Sequence, residues 1–407
     1  MELLVSPTLD TRPRVRVERI LRQWIADGKL PVGVELPTEL SLAKALKVSR
    51  PTLRLAMRQL QDQGLIISQE NRRRVVADQG AAHGGAMAQS VVVLGCAFPK
   101  GRGENDYQRS SGWGIQRQYA ALAGLGEAGF DSMIVGERTL TAEKARRLMS
   151  GRPRGAIAVE SEVWDTAEAQ QIADALRLHG APVVLYGSQP IAGCDRVSSD
   201  HAAGCHDLTR WLIGQGRRRI LRVWTGQGCQ INHAWLKDRD AGYEKAMGEA
   251  GLEILPVVRP GGPEPEGLAF QQWFEAKTRS IVGWLIEHLQ RDPAIDAIVA
   301  ASDGEVYPIA AACRLLGKTP GRDILITGYD DFWMDDPQRQ FESYTPAATV
   351  DKQNPAIGLE LVKLFQDRLN GKLPVETQHR VIAPQMIVVD PDAPNGSSAP
   401  RQTVETN

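Results

Sequence analysis

Along the first 76 residues the apolar positions fall into runs of two different periods. Val17, Ile20, Leu21, Trp24 and Ile25 recur at helical spacing and stop at Gly28, which predicts a first helix. A second is predicted from Thr38, with Glu39 in its first turn, to about Leu46. A third opens at Ser49, a good N-cap residue, tolerates Pro51 in its first turn and runs through Leu53, Ala56, Met57 and Leu60 to Gly64. Leu65, Ile66 and Ile67 on one side, and Val75 and Val76 on the other, then flank a polar tip from Gln69 to Arg74, as the strands of a short hairpin do.

Three helices and a hairpin make a small winged-helix domain, placed at 1–77. Residues 78–89, DQGAAHGGAMAQ, have no periodic apolar face and are read as a flexible linker. From 90 to 390 the rhythm becomes strand, helix, strand, helix. Short apolar runs begin at Val91, Met133, Ala156, Val183, Ile220, Ile254, Ala297 and Ile324, mostly without alternation, which suits strands buried on both faces of a parallel sheet. Helical segments between them often end at glycine, as at Gly129, Gly180, Gly216 and Gly251. So long a stretch exceeds one doubly wound sheet, so the expected fold class is α/β, a winged-helix head followed by a two-lobed parallel-sheet domain. Residues 391–407 are read as a disordered tail.

Composition narrows the function classes. At 42% hydrophobic and 24% charged, the 407-residue chain is ordinary for a soluble protein, with no apolar run of membrane-spanning length, and a cytoplasmic location is expected. The five cysteines are scattered and lack C-x-x-C spacing, so neither a disulfide framework nor a zinc site is expected. A net charge of −1 conceals an asymmetry: residues 1–80 carry 14 Lys+Arg against 9 Asp+Glu, and the rest 34 against 40. A basic head on an acidic body suits a head that meets a polyanion.

The third helix leaves Arg54 and Arg58 outward, with Ser49, Arg50 and Thr52 at its N-terminal end. Guanidinium groups can read guanine in the major groove, and hydroxyls and a helix N-terminus can hold phosphate, although exposed arginines also occur on any solvated face. The stretch PVGVELPTELSLAKALKVSRPTLRLAMRQLQDQGLI resembles the DNA-binding domain of the GntR family, by Gly33, Leu36-Pro37, Leu42-Ala43, Val48-Ser49-Arg50, Leu53-Arg54 and Gly64-Leu65 in order. The resemblance implies DNA contacts from Ser49, Arg50, Thr52 and Arg54. The chain departs from the family at Leu40, where an arginine is usual, and at the wing tip, where Asn71-Arg72-Arg73-Arg74 replaces Gly-x-Gly. Arg72 and Arg73 remain candidates for the minor groove or phosphates.

VSSDHAAG at 197–204, RDAGYEKAMGEAGL at 239–252, SDGEV at 302–306, ILITGYDDF at 324–332 and TVDKQNPAIGLEL at 349–361 together resemble the effector domain of the LacI family, itself similar to periplasmic sugar-binding proteins. A GntR head on such a body is similar to arabinose-type repressors. The resemblance implies ligand contacts in a cleft between lobes at Arg239 and Asp303, an arginine and a carboxylate being suited to vicinal hydroxyls. Trp113 can stack on a sugar face, and Lys352 stands where the family often has Gln. Arg239 and Asp303 also suit helix-terminal charges and Trp113 suits plain core, while Asp200 is read as an N-cap. Asp200, His201, Cys205 and His206 invite a metal reading, but His206 turns off their shared helical face. The glycines of PKGRGEN at 99–105 lack a phosphate-loop context, so no cofactor, metal or catalytic residue is expected.

The expected function is therefore a ligand-responsive transcription regulator and not an enzyme. It is expected to repress from a palindromic double-stranded operator as a homodimer, with a sugar-like effector and no membrane partner. Two alternatives stay open: an activator, and a GntR-headed pyridoxal-phosphate aminotransferase-like regulator, for which no Schiff-base lysine setting is found.

Overall fold

A computed structural model describes residues 13–27, 29–31, 34–62, 65–68, 74–76, 89–95, 112–136, 140–160, 164, 167–224, 233–261 and 267–390. The expected linker at 78–89, Gln89 apart, and the expected tail at 391–407 lie outside the described residues. So do Arg72 and Arg73.

The head contains α1 (Pro13–Ala26), α2 (Glu39–Ala45), α3 (Arg50–Asp62), β1 (Ile66–Ser68) and β2 (Arg74–Val76). Its core is the apolar set of the pattern: Val17, Leu21, Trp24, Leu42, Leu53, Ala56, Met57, Leu60 and Ile66 are buried together. Thr38 caps α2, its hydroxyl accepting from Ser41 N at 3.2 Å. Ser49 caps α3, accepting from Thr52 N at 3.3 Å. The hairpin pairs Ile66 with Val76 and Ser68 with Arg74. A third edge escaped the pattern: Leu36 N donates to Arg74 O, and Val76 N to Val34 O, binding the segment before α2 onto β2.

The body begins with β3 (Ser90–Gly95), α4 (Gly112–Glu127), β4 (Asp131–Gly136), α5 (Ala142–Ser150), β5 (Gly155–Ala158), α6 (Ala169–Leu176), β6 (Val183–Tyr186) and β7 (Asp195–Ser199). It continues with α7 (His201–Gly214), β8 (Ile220–Val223), α8 (Ala234–Glu249), α9 (Phe270–Arg291), β9 (Ala297–Ala300), α10 (Asp303–Leu315) and β10 (Leu325–Thr327). β11 (Ala348–Asp351), α11 (Asn354–Leu369), β12 (His379–Ile382) and β13 (Gln385–Val388) close it. Two sheets result. The first has the order β12-β7-β6-β5-β3-β4, and its core joins Val91, Val93, Ile157, Val184 and Val197 to Ile357, Leu361 and Phe365 of α11. The second has parallel strands β10-β9-β8, extended on one side by a bridge from Val223 to Val258. On its other side Gly328 N donates to Ala348 O and Asp330 N to Val350 O, which adds β11 and its antiparallel partner β13.

The four glycines expected to end helices all have positive φ. Asp200 caps α7, its carboxylate accepting from Ala203 N at 2.9 Å. The strand expected from Ile254 to Val258 reduces to the single bridge at Val258. Strands β7, β11, β12 and β13 were not anticipated: DRVSS, ATVD, HRVI and QMIV are short and mix polar with apolar residues. The chain passes between the sheets three times, the last time between β12 and β13. β7 ends at Ser199 and leads through Asp200 into α7; β11 ends at Asp351 and leads through Lys352 and Gln353 into α11.

Because the head has its own core, Leu53→Ala is expected to cost roughly 2–5 kcal/mol there, the usual cost of emptying a leucine site. Calorimetry of the full chain should show one transition moved down and a second, belonging to the body, in place. A common shift of the whole profile would mean that head and body melt as one unit.

Candidate nucleic-acid interface and effector site

Glu39, the first residue of α2, organises the exposed face of the head. Arg54 Nε donates to its Oε2 at 2.7 Å, Arg74 Nη1 donates to its Oε1 at 2.7 Å, and Arg50 Nη2 lies 4.0 Å from Oε2. The hydrogen bond from Arg74 holds the Glu39 carboxyl below its usual range, Arg54 adds to this, and burial opposes it. Arg50 and Arg54 remain more than half exposed. The Ser49 and Thr52 hydroxyls lie 2.8 Å apart at the start of α3, and Arg58 is exposed one turn beyond Arg54. Five of the seven expected DNA residues thus share the α3 side of the head; the other two are Arg72 and Arg73.

In the body, Arg239 sits in the second turn of α8 and is almost fully buried. Asp240 anchors that helix, accepting from Arg222, Trp224 Nε1 and Arg259. Gly242 lets α8 approach α7, since a Cβ there would lie 2.1 Å from Ala202 O. The Arg239 guanidinium lies 3.4 Å from the centroid of the Tyr329 ring and 4.5 Å from that of Trp235. Its Nε donates to His201 Nδ1 at 3.3 Å, its Nη1 to Ala301 O, and its Nη2 lies 3.6 Å from Asp330 Oδ1. Lys352 Nζ lies 2.8 Å from the same oxygen. That contact is ionic without being a well-aligned hydrogen bond, because Oδ1 has no partner of hydrogen-bonding geometry. Arg239 and Lys352, far apart in the chain, therefore converge on Asp330.

Asp303 lies beside this group but faces inward. One carboxylate oxygen accepts from Thr349 Oγ1 at 2.7 Å, and the other from Phe332 N at 2.8 Å and Trp333 N at 3.2 Å. Burial drives its pKa well above the usual carboxylate range, against the pull of Thr349. It has no exposed surface, and through Phe332 and Trp333 it also holds the loop after β10. Trp113 is the second residue of α4; its side chain lies outside the described residues.

The first sheet contributes residues with no advance signal. Arg117 of α4, fully buried, donates to Val159 O, to Asn354 Oδ1 at 2.8 Å and to Glu160 at 3.3 Å, and lies 3.7 Å over the Tyr186 ring. Among the described residues, Ser188 Oγ, Ser199 Oγ and Gln118 Oε1 are buried without a hydrogen-bond partner. Ser199 ends β7, Ser188 follows β6, and Gln118 abuts Gly95 at the end of β3, so these groups share the C-terminal edge of the first sheet. Asp330 and Ala301 follow β10 and β9 at the corresponding edge of the second. His201, two residues past β7, touches Arg239 and so joins the two edges. Burial, then Arg239, Lys352 and Arg117, push its pKa well below the usual value. His201 was considered in sequence only as a metal ligand; its ring instead accepts from Arg239, whereas His206 pairs with Glu249.

Residues 13–76 match the sequence model of bacterial regulatory proteins of the gntR family, and residues 209–389 that of the periplasmic binding protein-like domain. The head thus matches a gntR-family model, and the later part of the body matches a periplasmic binding protein-like one. Among its relatives is the HTH-type transcriptional regulator CelR of Thermobifida fusca, 26% identical over 253 residues, 61% of this chain and 67% of that protein. A solved complex of the transcriptional regulator CelR with cellobiose covers 87% of this chain and 99% of its own, with a TM-score of 0.56 at 19% identity. A LacI-family regulatory protein from Chloroflexus aggregans covers 74% and 97%, with a TM-score of 0.55 at 22% identity. At these identities the structures speak to the fold, and that fold is the one built above. The GntR match covers α1 through β2, and the periplasmic match ends at Val389, just past β13. Among the described residues no helix is long and apolar enough to cross a membrane.

The position of His201 in the body has a consequence for pH. Its unfolded-state pKa is about 6.5, and its folded value is lower. Below that unfolded value the unfolded chain takes up a proton that the folded chain refuses, so stability falls as pH drops. His379, also shifted down by burial and by Arg196, adds in the same direction. The melting temperature is expected to fall between pH 7 and 5, and less steeply in His201→Gln. Equal slopes in the two proteins would show that His201 is not held neutral.

Proposed function

We propose that this regulator represses transcription from a palindromic operator, which it grips as a homodimer through Ser49, Arg50, Thr52, Arg54 and Arg58, with Arg72 and Arg73 on the wing. A small polyhydroxylated effector, a sugar or sugar derivative, occupies the junction of the two sheets in the body and alters operator affinity. The division into a head at 1–77, a linker at 78–89 and an effector domain at 90–390 belongs to the same reading, as does action in the cytoplasm.

The observation that carries it is the convergence of Arg239 and Lys352 on Asp330 beside His201, facing a sheet edge lined with unpartnered Ser188, Ser199 and Gln118 oxygens. Buried polar atoms without partners are costly, and a ligand rich in hydroxyls supplies both donors and acceptors at once. Open α/β sheets bind ligands beyond the carboxyl ends of their strands, where this group lies. The cellobiose complex of the CelR neighbour supports the ligand class. Trp113 stays in the proposed site as a stacking residue and Asp303 as a polar group, which also supports the loop carrying Asp330.

Two experiments test the two halves. For the head, Arg50→Ala and Arg54→Ala are each expected to cost roughly 1–3 kcal/mol of operator binding if they read base edges. Unchanged affinity in both, with the fold intact by circular dichroism, removes them from recognition. For the body, a thermal-shift panel of pentoses, hexoses, cellobiose, uronic acids and nucleosides should single out a class that stabilises the wild type and not Arg239→Ala. Calorimetric titration of that compound with and without saturating operator duplex then measures coupling. Linkage requires the duplex to change effector affinity by the factor by which effector changes duplex affinity, and equal dissociation constants would mean that the body senses without signalling.

A further inference from the structure

The head places a carboxylate in the middle of its basic face. Glu39 takes Arg54 through Nε on one oxygen and Arg74 on the other, while Arg50 stays 4.0 Å away. Helix chemistry accounts for an acidic residue in the first turn of α2, where it favours the helix dipole, but for neither of these bonds. Against DNA an ionised carboxylate here is unfavourable, since it repels the phosphates that the surrounding arginines attract. Glu39 is ionised: Arg74 and Arg54 hold its pKa below the usual range.

Its geometry offers a compensation. A guanidinium has five N–H donors in a planar fork. With Nε committed to Glu39, the Arg54 plane is fixed and its two Nη groups remain as a pair, the pattern that matches O6 and N7 of guanine. Arg54 is 58% exposed, so the fork is open to a groove, and fixing it in advance reduces the side-chain entropy lost on binding. The second oxygen ties Arg74 of β2, so the same carboxylate sets the wing strand against α3. Arg50, at 4.0 Å, is not held in this way.

We infer that Glu39 is the specificity-determining residue of this head: a positioning carboxylate that presents Arg54 to one guanine, at the expense of general affinity for DNA. This rests on the operator-binding reading above. Two opposite effects then follow from one substitution. Glu39→Gln removes a negative charge and so raises affinity for unrelated duplex, while it frees Arg54 and lowers discrimination at a single base pair. A residue serving only the helix terminus or the fold would not separate the two.

The test starts from a pool of randomised duplex selected on the full-length wild type, followed by binding of the preferred duplex and each of its single-base-pair variants. Arg54→Ala identifies the G·C pair whose preference it erases. Glu39→Gln is expected to reduce discrimination at that same pair by roughly tenfold, within what one bidentate contact provides, with other positions unchanged and affinity for unrelated duplex equal or higher. Wild-type discrimination at that pair, or a uniform loss across all sequences, overturns the inference. If Glu39→Gln melts early, Glu39→Asp carries the test: it keeps the charge, shortens the reach, and must weaken preference at the same pair. A wild type that selects no sequence refutes the operator reading itself, and a different result in Glu39→Gln alone refutes only the role of Glu39.

Discussion

The body is organised around a buried cation. Taking a guanidinium out of water costs several kcal/mol unless charge and hydrogen bonds replace the lost solvent, and Arg239 receives both. Tyr329 and Trp235 cover its faces, His201 and Ala301 accept from its edge, and Asp330 supplies the countercharge. Each partner imposes a condition on its own segment. Asp330 and Asp331 both hold positive φ, unusual for residues other than glycine and a conformation that persists only where surroundings over-determine it. Gly328 leaves room for Asp303, whose oxygen would lie 2.0 Å from a Cβ there, and Asp303 then pins the backbone at Phe332 and Trp333. The loop after β10 is thus fixed from below so that its carboxylate can meet Arg239 and Lys352 from above.

That hierarchy explains what the sequence could and could not disclose. Helices α1 to α3 were legible because each has one apolar stripe, and Ser49 and Asp200 were legible as caps because their neighbours in space are neighbours in sequence. Strands buried on both faces, such as VVLY and AIVA, announced themselves as apolar runs. β7 did not, because its Asp195 and Ser198 are buried by bonding to Arg368 and His379 from distant segments. Arg117 was equally silent: an arginine inside GWGIQRQYAALAG resembles any solvated helix position, and only Val159, Asn354 and Glu160 give it a buried site. Arg239 and Lys352 came from resemblance, while their meeting point, Asp330, stood unremarked in a quoted motif. For Asp303 the SDGEV stretch says nothing of which donors its carboxylate will find, and Thr349 and Phe332 come from distant segments.

The head illustrates a second limit. Exposed arginines on α3 read alike in sequence, yet Glu39 distinguishes them: one is hydrogen-bonded through Nε, one is near but unheld, and Arg58 has its own exposed position. Leu40, next to Glu39 and 67% exposed, stands where the resemblance leads one to expect an arginine. A leucine there offers no hydrogen bond to a phosphate or a base, so under the proposed reading polar recognition on this face falls more heavily on α3 and its supporting carboxylate. The basic balance of the first 80 residues supports general attraction to DNA, but discrimination between sequences depends on how few of those charges are held in fixed directions.

Under the proposed reading, two of the three chain crossings give the body a physical route from ligand occupancy to a change of state. Residues 199–201 and 352–354 each carry site groups and backbone at once: Ser199 and His201 on one, Lys352 and Asn354 on the other. Gln353, between Lys352 and Asn354, holds positive φ and is braced by its own bonds to Asp351. Arg117 reaches across from the first sheet to Asn354, so a shift of the second crossing is felt by α4. A ligand that occupies Asp330 and Lys352 loads the strained residues directly, and one that contacts the Ser199 edge loads the first crossing. Only a ligand that touches both edges distinguishes two arrangements of the sheets, because an equilibrium moves only by the difference in affinity between its states. For the typical coupling of about 1–3 kcal/mol, one or two hydrogen bonds made in a single arrangement suffice. A small polyol with hydroxyls on opposite sides meets that requirement, whereas an apolar ligand of equal size leaves the unpartnered oxygens of both arrangements unchanged.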